Sequence, residues 1–70
     1  MNPKRIGKLI KTLRENLELT QEQLAKRAGV NHSYISLLET GQRMPTVKTA
    51  DKLCAALGIS LAELFSESEE

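Results

Sequence analysis

The sequence predicts an all-α protein, and three observations carry that prediction. Apolar residues recur at helical spacing and nowhere alternate as a half-buried strand requires. Helix formers dominate, with two Pro, four Gly, one Phe, one Tyr and no Trp, so Leu, Ile, Val and Ala must build the core. Start and stop signals fall at short intervals, which divides the chain into five short helices with tight connections. A chain of 70 residues makes one compact domain, and it buries only about 60% of the surface its unfolded form exposes. Residues 1–66 are expected to form that domain, and residues 67–70 an acidic, frayed tail.

Asn2 supplies a capping side chain for the first helix, and Pro3 takes the first helical position, where its missing N–H is not needed. Ile6, Leu9, Ile10, Leu13 and Leu17 then follow at i, i+3, i+4, i+7 and i+11, an unbroken inward stripe. Lys4, Arg5, Lys8, Lys11 and Arg14 occupy the other faces. Thr20 opens the second helix, and Gln23 completes a capping box. Leu24, Ala25 and Ala28 are its apolar positions, and Gly29 can take the left-handed conformation that ends a helix. Asn31 caps a third helix over residues 32–40, Gly41 ends it, and residues 42–45 form a loop. Thr46 caps a fourth helix with Val47, Ala50, Leu53, Cys54 and Leu57 inward, closed by Gly58. Ser60 and Glu63 make a second capping box, which opens a fifth helix with Leu61, Leu64 and Phe65 apolar.

The second and third helices form a helix-turn-helix. Helices joined by so few residues must cross steeply to bury their apolar sides together. That needs a small residue at the closest approach, which is Ala25, and a positive-φ residue at the corner, which is Gly29. Leu24, Ala28, Val30, Ile35 and Leu38 line the inside. A generic helical hairpin rarely meets all of these requirements.

With Leu-Thr-Gln-x-x-Leu-Ala at 19–25, Ala-Gly-Val at 28–30, Tyr-Ile-Ser-x-x-Glu at 34–39, Gly41, Pro45 and Ala-Leu-Gly-Ile-Ser at 56–60, residues 6–65 resemble the phage repressor/Cro-type helix-turn-helix family, also called the xenobiotic-response-element family. The resemblance implies a five-helix domain that binds DNA as a twofold dimer and regulates transcription, with the N-terminal half of the third helix in the major groove.

Setting Ile35 at 0° and advancing about 100° per residue places Leu38 at about −60° and the core direction near −30°. Ser33 and Leu37 then fall at about 160° and Ser36 at about 100°, with His32 and Tyr34 on the flanks and Glu39 leaning toward the core. Base-edge candidates are therefore His32, Ser33, Ser36 and Leu37. Serine donates to or accepts from a base edge, and histidine can reach guanine acceptors. The alternative for the serines is exposed filler. Leu37 either packs on a thymine methyl or is an isolated surface leucine. The helix carries no Lys or Arg and none of the Gln found on the reading helices of phage relatives.

Backbone contacts position a protein without reading sequence. Gln21 stands at a helix N-terminus, where free N–H groups favour phosphate, and the resemblance gives this Gln that role. Asn31 is similarly placed, although its capping duty competes. Gln42 and Arg43 sit in the loop after the third helix, and Lys8, Lys11, Lys26, Arg27 and Lys48 are weaker candidates. Tyr34 either meets the DNA backbone or packs beside the second helix. The resemblance also implies an Arg14–Glu39 ion pair tying the first helix to the end of the third. Leu61, Leu64 and Phe65 are candidates for a dimer interface, the alternative being that they only close the monomer core.

Charge is unevenly placed. Residues 1–52 hold ten Lys and Arg against five acids, and residues 53–70 hold four Glu and no base. A basic body with an acidic end favours phosphates on one part and repels them on another. One His and one Cys, no paired metal ligands and no Gly-rich phosphate loop argue against an enzyme, a metal or a cofactor. Cys54 reads as a small buried apolar residue. No signal peptide and no apolar run long enough for a membrane span is present, so a cytoplasmic protein is expected. The leading expectation is a small transcription regulator binding a palindromic double-stranded operator as a homodimer, without a ligand domain. The alternative is an antitoxin or adaptor that captures a partner protein.

Overall fold

Local signals decide where the helices begin. In the computed structural model, which describes residues 2–67, α1 runs Pro3–Asn16, α2 Gln21–Ala28, α3 His32–Glu39, α4 Val47–Leu57 and α5 Leu61–Glu67. The Asn2 side chain accepts from the N–H groups of Lys4 and Arg5, and Thr46 accepts from that of Thr49. Both expected capping boxes close. Thr20 and Gln23 exchange bonds at 2.8 and 3.0 Å, and Ser60 and Glu63 at 3.1 and 3.0 Å. Among the described residues no strand forms. Glu67 is the last residue of α5, and the rest of the expected acidic tail lies outside the described residues.

Packing builds one core. Ile6 and Ile10 of α1, Leu24, Ala25 and Ala28 of α2, Ile35 and Leu38 of α3, Ala50, Leu53, Cys54 and Leu57 of α4 and Leu64 of α5 are all buried in it. α1 packs on α3, α2 on α3 and α4, and α5 on α1 and α4. The radius of gyration is 10.4 Å, close to the roughly 11 Å expected of a compact chain this long.

Two inward expectations fail, each at a helix end. Leu17 has the right angle for the α1 stripe but is 46% exposed. The helix has already ended at Asn16, and Glu18 turns the chain away with φ +59°. Val47 is 65% exposed, because it lies about 70° from the centre of the buried α4 face, on the first turn.

One contact was not expected at all. Gly7 faces the last turn of α3 so closely that a Cβ there would lie 2.1 Å from the Leu38 carbonyl oxygen. Lacking a Cβ, Gly7 lets α1 lie on the carbonyl end of α3.

Candidate nucleic-acid interface

The corner of the helix-turn-helix is built by Gly29. It takes φ +71°, and the Val30 N–H donates back to the Ala25 carbonyl at 2.9 Å, which closes α2. Asn31 then caps α3, its Oδ1 accepting from the Ser33 N–H at 2.8 Å. Capping uses the amide oxygen, so the Asn31 NH2 group keeps both its donors for a phosphate. The two roles that competed in the sequence are compatible in the fold.

α3 spends its apolar side on the core through Ile35 and Leu38, and Glu39 is buried with them. His32 and Ser33 are exposed, whereas Ser36 and Leu37 are half-buried. Tyr34 is half-buried and packs against the core.

The C-terminal end of α3 is held by a buried polar cluster. Arg14 Nε donates to Glu39 Oε2 at 2.6 Å and Nη2 to Oε1 at 3.1 Å, a bidentate ion pair. Arg14 Nη1 donates to the Leu19 carbonyl at 2.7 Å, which fixes the connection between α1 and α2. Gln21 Nε2 donates to the same Glu39 Oε1 at 3.0 Å, an arrangement no spacing rule signals because the residues stand on different helices. The side chain of Glu39 is only 2% exposed and that of Arg14 11%. The hydrogen bond to Glu39 raises the Arg14 pKa above its ordinary value, with burial opposing it. Among the described residues no buried side-chain nitrogen or oxygen lacks a partner.

The loop after α3 is equally defined. The N–H groups of Gln42 and Arg43 both donate to the Leu37 carbonyl, at 2.9 and 3.3 Å, and Gly41 takes φ +81°. Gln42 Nε2 donates to Thr40 Oγ at 2.8 Å, so its side chain folds back on α3, and Arg43 is exposed. Gln21, half-buried, and the 42–43 loop are thus both attached to the far end of the helix whose near end shows His32 and Ser33. Lys26 and Arg27 instead line a shallow depression on α2 with Leu19 and Gln23.

The expected dimer residues divide. Leu64 is 1% exposed and belongs to the monomer core, so the chain as folded offers no surface there. Leu61 and Phe65 are half-buried and pack against that core from outside. Among the described residues no group of side chains could hold a metal ion, and no helix is long and apolar enough to cross a membrane.

Residues 10–64 match the helix-turn-helix family. The chain is 42% identical over 67 residues to an uncharacterized HTH-type transcriptional regulator, y4dJ, of Sinorhizobium fredii, an alignment covering 96% of this chain and 87% of that protein. It is 39% identical over 67 residues to the control protein C.MunI of a Mycoplasma species, covering 94% of this chain and 90% of that one. The crystal structure of the restriction–modification controller protein C.AhdI from Aeromonas hydrophila matches with a TM-score of 0.85 at 37% identity, covering 89% of this chain and 94% of that one.

Proposed function

Because the chain belongs to the Cro-type helix-turn-helix family of DNA-binding transcription regulators, we propose that it recognises a palindromic operator as a homodimer, with the N-terminal half of α3 in the major groove. The observation that carries this reading is the division of α3. Its apolar side is used up by the core, its far end is clamped by Arg14 and Gln21, and its near end presents His32 and Ser33 to the outside. A rigid helix with a polar, uncovered N-terminal half is what base reading requires.

Ser33 and His32 read base edges in this proposal, and Ser36 and Leu37 contribute through their exposed parts. These side chains mostly make single hydrogen bonds, so each discriminates by less than the roughly 1–3 kcal/mol of a bidentate contact. Gln21, Asn31, Tyr34, Gln42 and Arg43 hold the backbone, and specificity leans on DNA shape. A dimer follows from the small reach of one such module, since two half-sites about 34 Å apart supply the specificity one lacks. Leu61 and Phe65, half-buried on α5, contribute to it in this proposal. Near full-length likeness to two control proteins supports a controller acting on its own upstream DNA.

The test is a mobility shift against that upstream region over a salt series. Specific binding that weakens steeply with salt is expected, because each neutralised phosphate adds to the slope. Equal affinity for random duplex at every salt concentration would sink the proposal.

A further inference from the structure

We infer that Lys4 contacts the duplex backbone beside the half-site, as part of one surface with Gln42 and Arg43; the inference rests on reading α3 and its loop as a DNA interface. Lys4, Lys8 and Lys11 are all exposed on α1. With Lys4 at 0° they lie at about 0°, 40° and −20°, a single stripe opposite the buried Ile6 and Ile10 at about 200° and 240°. By spacing they are equivalent. The fold makes them different.

Gly41 begins the loop that carries Gln42 and Arg43. A Cβ at Gly41 would lie 2.7 Å from Lys4 Cγ and 3.1 Å from Lys4 Cα. The missing side chain is therefore what lets the Lys4 stem cross the turn. Gly7 fixes α1 in that place by its approach to the Leu38 and Glu39 carbonyl groups, one helical turn further on. The Lys4 ammonium consequently leaves the protein next to the loop. Lys8 instead lines a shallow groove of about 240 Å³ with Arg5, Leu9, Thr12 and Glu67. A carboxylate beside that groove weakens the attraction of its cations for phosphate. Lys11 lies about 10 Å along the helix axis from Lys4, away from the turn. A hydrated ammonium on a flexible stem suits a phosphate at the rim of an interface, where position rather than base identity is at stake.

The experiment compares wild type, Lys4→Gln, Lys4→Arg and Lys8→Gln on random-sequence duplex and on the chain's own upstream DNA. Salt is varied from about 50 to 200 mM. Lys4→Gln is expected to reduce the slope of log affinity against log salt by about one on both duplexes, so its deficit narrows roughly threefold across that range. Lys4→Arg restores the slope, and Lys8→Gln changes it less. The ratio of affinities for the two duplexes stays that of wild type, because phosphate contacts do not read sequence. An unchanged slope for Lys4→Gln, or an equal change for Lys8→Gln, overturns the inference and leaves the interface reading standing. Failure of the wild type to bind either duplex overturns both.

Discussion

The Glu39 carboxylate holds side chains that arrive from two other helices, Arg14 of α1 and Gln21 of α2. Glu39→Ala leaves the Arg14 guanidinium buried without its counter-charge, a loss of about 3 kcal/mol, and it releases Gln21. Melting temperature and DNA affinity are both expected to fall, and by more than in Glu39→Gln, which keeps one acceptor oxygen for the three donor groups. A variant unchanged in both measurements would refute the clamp. Cys54 makes a different residue-scale prediction. Burial pushes its thiol pKa up, helped by Asp51 and Glu63. As pH rises through the ordinary thiol pKa of about 8.5 the unfolded chain should therefore lose its proton first, so stability falls as pH rises there. Wild type should lose stability relative to Cys54→Ala over that rise, and maleimide labelling of the native protein should be slow until denaturant opens the core. Rapid native labelling would contradict the burial.

At the scale of elements, the caps were legible because a cap is a local contact between residues two or three apart. Thr20, Asn31, Thr46 and Ser60 were all assigned from such spacing, and all four cap as expected. Helix ends were less legible. Leu17 continues the periodic stripe, yet the chain leaves the helix before reaching it. The close approach of α1 to α3 at Gly7 was not legible either, since Gly7 stands where any small residue would satisfy periodicity. Gly7→Ala gains about 1 kcal/mol in helix propensity. It also places a methyl group against the Leu38 carbonyl, so a net destabilisation of at least 1–3 kcal/mol is expected, on the order of an overpacked core. Gly29→Ala meets no neighbour within 4 Å and should lose only about 1–2 kcal/mol for the left-handed backbone. Urea midpoints measure both, and a raised midpoint for Gly7→Ala would show that the two helices do not touch there.

At the scale of the molecule, the proposed dimer needs apolar surface that the monomer has not used. Leu64 is buried in the core, and of the three expected dimer residues Leu61 and Phe65 keep partial exposure. Leu61→Glu should shift sedimentation toward the monomer and weaken operator binding, with helical circular dichroism retained. A wild type that sediments as a monomer at every concentration, and still binds its operator tightly, would remove the dimer from the proposal. The charge asymmetry acts at this scale too. The acidic end of α5 lies against α1 at Arg5 and Lys8 rather than beside the Gln42–Arg43 loop, so it tempers part of the basic surface and leaves the loop side to Lys4 and Arg43.

The sequence by itself determined the helices, their caps, the corner at Gly29 and the inward residues of α3, because periodicity and capping act within a turn or two of the chain. It also carried the family resemblance from which the Arg14–Glu39 pair was expected. Tertiary structure alone decided that Gln21 joins that pair, that Leu64 is core, and that Lys4 stands at the loop while Lys8 stands at α5. Each of those outcomes depends on how one helix is seated on another. For α1 that seating includes backbone approaches at Gly7 and Gly41, which have no periodic signature.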